Sequence, residues 1–123
     1  MSEVGVKYDD KKLDWSLLPF GATEEVIKVL QFGAAKYSAH NWKLVEDGER
    51  RYFNAAMRHL VAHRKGDAND DESGYSHLAH AACCIMFILQ KELDANVNSS
   101  GEPIKHQNTV HYVKTEQNTI VRK

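Results

Sequence analysis

Glu72-Ser73-Gly74-Tyr75-Ser76-His77-Leu78-Ala79-His80-Ala81-Ala82-Cys83-Cys84-Ile85-Met86-Phe87-Ile88-Leu89, running on to Leu93, decides the fold. Over 72–93 the apolar residues Leu78, Ala81, Ala82, Ile85, Met86, Ile88 and Leu89 cover nearly every angle of a helix. Such a helix belongs at the centre of a bundle or in an oligomer interface. Its beginning has a different character, because the acids of Gly66-Asp67-Ala68-Asn69-Asp70-Asp71 lead straight into Glu72, His77 and His80. An ionisable group buried without a partner costs several kcal/mol or is driven neutral, so this run calls for hydrogen bonds, a metal or a ligand. On a helix turning about 100° per residue, Glu72, Ser76 and His80 step only about 40° apart, with His77 about 60° from His80, which makes one polar stripe.

Outward from this helix the same periodicity predicts two more. From Glu49 to Lys65 the apolar residues Phe53, Met57, Leu60 and Val61 recur at helical spacing, and Gly66 ends the element. Thr23 is placed to cap a helix with Glu24 and Glu25 in its first turn and Val26, Leu30, Gly33 and Tyr37 on one face. Gly33-Ala34-Ala35 suits a close helix crossing, and the element should end near Ser38. Ser38 to Gly48 reads as a connection. Residues 1–21 look irregular, with Leu13, Trp15, Leu17, Leu18 and Phe20 as anchors that pack across the domain. Asp94 to Pro103 is a polar linker, and the β-prone runs 109–115 and 119–121 suggest a terminal hairpin or an intersubunit strand. The expected architecture is all-α: a bundle domain over 1–93, then a linker and extended tail over 94–123. Three helices in one chain bury little, so helices from two subunits should complete a four-helix core in a homodimer or homotetramer.

Bulk properties narrow the function. Charged residues make up 27% of the 123-residue chain and leave a formal charge of −1, so no basic field recommends a nucleic-acid duplex as partner. The longest apolar run, Ala81 to Leu89, falls far short of the ~20 residues that span a bilayer. Cys83 and Cys84 are helix neighbours, where a disulfide would be strained, and two buried thiols fit a reducing cytoplasm.

Three constellations could carry chemistry. Asp70, Asp71 and Glu72 offer the hard oxygen donors that hold Mg²⁺ or Mn²⁺, and His77 and His80 add nitrogens that Mn²⁺ tolerates better. The acids could equally be a solvated loop and the histidines hydrogen-bonded core. On the second helix Arg51, Asn54 and Arg58 form a polar face, while His59 and His63, four apart, could share a metal or simply pack. Lys36-Tyr37-Ser38-Ala39-His40-Asn41-Trp42 brings together a cation for phosphate, an amide for a base edge and an indole for stacking; Tyr37 and Trp42 could also be core. No glycine-rich phosphate loop is present, so phosphates would be held by side chains and metal.

In order along the chain stand Lys7-Tyr8-Asp9 with Lys12-Leu13, Leu17-Leu18-Pro19, Val29-Leu30-x-Phe32-Gly33-Ala34-x-Lys36-Tyr37-x-x-x-Asn41-Trp42, Arg58-His59-Leu60, Gly66-x-x-x-Asp70-x-Glu72-Ser73-Gly74 and His77-Leu78-Ala79-His80-Ala81. Over residues 6–93 this set resembles the phage dATP/dGTP diphosphohydrolase domain family, grouped with the MazG-like all-α nucleotide pyrophosphatases. The resemblance implies a MazG-like bundle and metal-dependent hydrolysis of purine deoxynucleoside triphosphates to monophosphate and pyrophosphate. By analogy it also implies a supply of dGMP for synthesis of a modified purine, 2-aminoadenine, in a phage. One departure stands out. MazG-like enzymes usually carry Glu-x-x-Glu on one helix and Glu-x-x-Asp on the next; here His77-x-x-His80 stands in that place, with Glu72 upstream.

With that resemblance, the expected site has Mg²⁺ or Mn²⁺ on Glu72, Asp70, His77 and His80, and Glu72 and His59 as the catalytic pair, His59 carrying a proton or supporting a metal ligand from behind. Lys12, Lys36 and Arg58 hold phosphate oxygens, and Asn41 and Trp42 meet the base. Two other classes compete: an HD-type triphosphohydrolase, disfavoured by the lack of a His-Asp dipeptide, and a non-enzymatic nucleotide-binding helical protein.

Overall fold

The computed structural model describes residues 3–97 together with 112–114 and 120–122. The architecture is all-α, built from α1 (Phe20–Lys36), α2 (Gly48–Arg64) and α3 (His77–Ala95), with short 3-10 turns at Trp15–Leu17 and Asn41–Leu44. Two three-residue strands, β1 (Tyr112–Lys114) and β2 (Ile120–Arg122), pair antiparallel with Tyr112 opposite Arg122. The central helix is α3, packed along α2 and, less extensively, against α1. Among the described residues no helix is long and apolar enough to cross a membrane.

The first helix begins three residues before the expected cap. Pro19 fixes an extended backbone at the N-cap, and Thr23 lies one turn inside, its hydroxyl donating to the Pro19 carbonyl at 3.0 Å. Glu24 and Glu25 therefore lie beyond the first turn, and Glu25 pairs with Lys28 at 2.8 Å. Val29 is the buried residue of α1; with Ala79 and Cys83 it forms a small core, ringed by Val26, Leu30, Tyr75 and Phe87. The Cys83 thiol donates to the Val26 carbonyl at 3.4 Å, and burial pushes the Cys83 and Cys84 thiols up to about 12 and about 11, so both pack as neutral groups.

The second helix keeps its expected bounds within a residue but turns its other face inward. Its buried positions are Gly48 and Ala56, with Tyr52 and His59 half-buried along the same side, while Phe53 (56% exposed), Met57, Leu60 and Val61 look outward. Small side chains explain the choice, because Gly48 and Ala56 on α2 and Ala79, Ala81, Cys83 and Cys84 on α3 let helices approach closely. The third helix repeats the pattern, leaving Leu78, Ile85, Met86, Leu89 and Leu93 about half exposed. Nor does the N-terminal segment pack across the domain as its apolar residues suggest: Leu13 is 82% and Trp15 69% exposed. The core of the chain is made by small residues, and the large ones remain available.

The largest correction concerns where α3 starts. A helix from Glu72 or Ser73 is prevented by a loop closed on Asp70: its N–H donates to the Tyr75 carbonyl at 2.8 Å, its carbonyl accepts from Gly74 N–H at 2.8 Å, and its carboxylate accepts from Ser73 N–H at 2.9 Å. Gly74 stands at φ +78°, a left-handed conformation that interrupts any right-handed helix and that glycine adopts without steric cost. Ser76 then caps α3, its hydroxyl accepting from Leu78 N–H at 3.1 Å. Glu72 consequently stands on the loop, and the four-residue polar stripe shrinks to the helical pair His77 and His80.

Two substitutions probe this packing by urea unfolding followed by circular dichroism. Ala81, 2% exposed, has no room for a larger side chain, so Ala81→Leu should destabilise by about 1–3 kcal/mol. Ser76→Ala should remove the cap at a cost of about 1 kcal/mol.

A histidine and carboxylate cluster at the head of the third helix

Chain reversal after α2 builds the site. Gly66, at φ +97°, donates to the His63 carbonyl and Asp67 N–H donates to the Ala62 carbonyl, both at 3.0 Å, which satisfies the last turn of α2 and folds Asp67 back toward the head of α3. His77, the first residue of α3, is 7% exposed and engaged on both ring nitrogens. Its Nε2 lies 3.1 Å from Asp67 Oδ2 and its Nδ1 lies 2.9 Å from Nδ1 of His59 on α2. A carboxylate only accepts, so the proton of His77 resides on Nε2 and its Nδ1 lone pair faces His59.

One turn along α3, the His80 ring stacks on His59 with centroids 4.6 Å apart and planes 15° from parallel. Its Nε2 lies 2.7 Å from Ser73 Oγ and 3.8 Å from Asp70 Oδ2. Ser73 Oγ accepts from Tyr75 N–H at 3.1 Å, which leaves the hydroxyl proton for His80. Burial, reinforced by the neighbouring His80 and His77, pushes His59 below the usual imidazole range despite Asp70 nearby. Burial also pushes His80 down, against the pull of Asp70. Both rings are therefore neutral near pH 7 and keep a lone pair. Burial alone would raise Asp70, but its hydrogen bonds from Ser73 and the facing His80 and His59 outweigh that effect and hold the carboxyl below its ordinary value.

Donor atoms of His59, Asp70 and His77 all lie within 4.8 Å of one another. Two imidazole nitrogens and a carboxylate oxygen so close together form a chemically plausible seat for a divalent cation, or a hydrogen-bonded proton relay.

The expected site residues fall into groups. Asp70, His77, His80 and His59 come together. Glu72 does not join this donor group; it is exposed on the loop and paired with the Lys36 ammonium at the end of α1, and that hydrogen bond is the main cause of the raised Lys36 pKa. His63 is exposed, and the helical neighbour expected to share its metal, His59, turns to His77 instead. Arg58 borders a shallow groove with Met57, Val61, Ala62, Lys65 and Asp67, so two cations flank the carboxylate that holds His77. Trp42 stacks on Phe87 at 4.7 Å and 11°, with Lys43 over its ring, and Asn41 begins the 3-10 turn that carries it. Phe87 follows His80 by two turns of α3, about 10 Å of rise. Lys12 is exposed on the N-terminal segment. Asp67, Ser73 and Lys65 escaped the sequence reading, although the predicted stop at Gly66 was a signal that the next residue turns back on the helix.

The Asp67 contact has a measurable consequence. Long-range ¹H–¹⁵N correlation spectra should find His77 as the Nε2–H tautomer, and Asp67→Ala should abolish that preference while costing about 1–3 kcal/mol for a buried donor left without its partner. A His77 tautomer unaltered by Asp67→Ala would contradict the assignment.

Residues 2–100 match the family described as dATP/dGTP diphosphohydrolase, N-terminal. A curated dATP/dGTP diphosphohydrolase from Salmonella phage PMBT28 is 40% identical over 85 residues, covering 69% of this chain and 29% of that protein. The chain thus spans less than a third of that relative's length. No solved structure matches.

Proposed function

Because the chain belongs to the dATP/dGTP diphosphohydrolase N-terminal family, we propose that it hydrolyses the purine deoxynucleoside triphosphates dGTP and dATP between the α- and β-phosphorus, releasing monophosphate and pyrophosphate. The observation that carries the reading is the meeting of Asp70 and His77 donor atoms beside the groove of Arg58 and Lys65. The expected divalent cation, Mg²⁺ or Mn²⁺, would be held by Asp70 and His77 with His80 alongside, and the imidazole suits Mn²⁺ better than Mg²⁺. When bound, such an ion neutralises phosphate charge and acidifies water.

The chain's own residues supply the rest. Arg58 and Lys36 take phosphate oxygens, with Lys12 drawn in from the N-terminal segment, while Trp42 and Asn41 meet the base. Lys36 reaches the phosphates by leaving Glu72, an exchange that costs little because both partners of the pair are exposed to water. The freed Glu72 carboxylate accepts the proton of the attacking water. The dGMP formed is available to the synthesis of 2-aminoadenine nucleotides in a phage.

Product identification tests this directly. With Mn²⁺ or Mg²⁺, dGTP and dATP should yield monophosphate and pyrophosphate, with dCTP and dTTP turned over less. Orthophosphate plus diphosphate, or no turnover, overturns the reading. Release of intact triphosphate, the product of an HD-type enzyme, would make the three-histidine cluster a triphosphohydrolase centre. Glu72→Gln should lower kcat by about 10²–10⁴-fold while the protein stays folded.

Assembly belongs to the same proposal. The outward apolar residues Phe53, Met57, Leu60 and Val61 of α2 and Leu78, Ile85, Leu89 and Leu93 of α3 are covered by a second copy of the chain, in a homodimer or homotetramer. Sedimentation should find a dimer or tetramer, and Leu89→Glu should shift it toward monomer; a monomeric parent chain would exclude the assembly.

A further inference from the structure

We infer that His59 is a metal ligand rather than a proton carrier, and that His59, His77 and Asp70 together select a borderline first-row transition ion, such as Co²⁺ or Zn²⁺, over Mg²⁺. The inference rests on the proposed function insofar as the same cluster is the reaction centre, but it concerns what the cluster binds.

The tautomer of His77 carries the first step. Asp67 holds the proton on Nε2, so the Nδ1 lone pair points at His59 Nδ1, 2.9 Å away. Two ring nitrogens stay that close by sharing a proton, or by both turning to one cation that stands beside the line joining them. Metal–nitrogen bonds of ~2.0–2.1 Å separate neighbouring donors by about 3 Å, so the present spacing suits two nitrogens on one ion. Asp70 supplies the third donor, with one carboxylate oxygen accepting from Ser73 N–H and the other free of that bond.

A second observation concerns the groups behind the donors. A histidine that binds metal through one nitrogen commonly gives its other N–H to a carboxylate, which sets the tautomer and raises the basicity of the ligating nitrogen. Asp67 stands in that relation to His77, and the Ser73 amide stands behind Asp70. Asp67 is thus a positioning residue for His77. His80 has Nε2 committed to Ser73 and lies flat against His59, where it walls the site.

The donor types decide the ion. Mg²⁺ seeks oxygen ligands and retains water, whereas imidazole favours Zn²⁺, Co²⁺ and their neighbours, with Mn²⁺ the weakest binder of the series. A set of two nitrogens and one oxygen leaves coordination positions for phosphate oxygens or water, as catalytic sites require.

The full chain, freed of metal by chelation, is titrated with Co²⁺, Zn²⁺ and Mg²⁺ by calorimetry, with Co²⁺ also followed by visible absorption. One Co²⁺ or Zn²⁺ should bind per chain, at least about tenfold more tightly than Mg²⁺. His59→Gln should weaken Co²⁺ and change its absorption bands, and Asp67→Asn should weaken it about 10–100-fold with the fold retained by circular dichroism. A measurement on the unaltered chain guards against misfolded variants: Co²⁺ should give paramagnetically shifted ring-proton signals from both His59 and His77. Equal affinity for Mg²⁺, an unchanged spectrum in folded His59→Gln, or a missing His59 shift overturns the inference. A tight Co²⁺ site in a protein that leaves dGTP and dATP intact overturns the proposed activity and sustains the site. Turnover with Mg²⁺ and no imidazole-bound ion does the reverse.

Discussion

The two-sided hydrogen bonding of His77 governs the geometry of the functional end. A buried polar ring left unsatisfied costs about 1–3 kcal/mol, so both of its nitrogens must be met. Satisfying Nε2 requires the chain to turn back at Gly66 and deliver Asp67; satisfying Nδ1 requires α2 to present His59 on the side that faces α3. These demands act together with the close approach that Gly48 and Ala56 allow, and the packed face of α2 is Gly48, Tyr52, Ala56 and His59 where the more apolar stripe of Phe53 and Leu60 looked the better candidate. The cluster is thus a constraint on packing as well as a place for chemistry.

Much of the fold was legible because helical period and stop signals are local. The bounds of α2 and its end at Gly66 follow from spacing and from the ease with which glycine takes a left-handed turn. The start of α3 was not legible in the same way. Gly74 and the acids before it fit the first turns of a helix by period, and only the hydrogen bonds that close the loop on Asp70 show that they are not helical. Glu72 stood on a helix face in the sequence and stands beside Lys36 in the fold, because an ion pair between residues 36 apart leaves no trace in local spacing. Asp67 was hidden for the opposite reason: it looked like one solvated acid among several, and its value comes from the backbone turn that aims it. Periodicity likewise revealed an apolar stripe on α2 and an α3 apolar almost all round, but could not reveal which apolar face each keeps for its own chain.

That division of faces has an energetic sense. Gly48, Ala56, Ala79, Ala81 and Cys83 permit close contact but bury little area each, whereas a fully buried Leu, Ile, Phe or Met contributes roughly 1.5–3 kcal/mol. The chain spends its small residues on internal crossing and leaves Phe53, Met57, Ile85 and Leu89 outside it, with Leu13 and Trp15 outside as well. Small-residue crossing also favours a precise separation of α2 and α3, which a triad of side chains drawn from both sides of that crossing needs more than it needs bulk.

Charge follows the same logic at the rim. Inside, His59 and His80 are kept neutral by burial and Asp70 is kept ionised by its hydrogen bonds, so one negative group lies among lone pairs. That arrangement attracts a cation and, without one, repels a polyphosphate. Outside, Lys36 is held by Glu72 while Arg58 and Lys65 border the groove at Asp67. On the proposed reading, a triphosphate approaching this end would be drawn by the outer cations and would face an unfavourable interior until a cation stood on the donors of His59, Asp70 and His77. On that reading the order of binding follows from the sign: the cation would precede or accompany the phosphates, because the side chains that could hold the anion lie at the edge of the cluster and those at its centre suit its counter-ion.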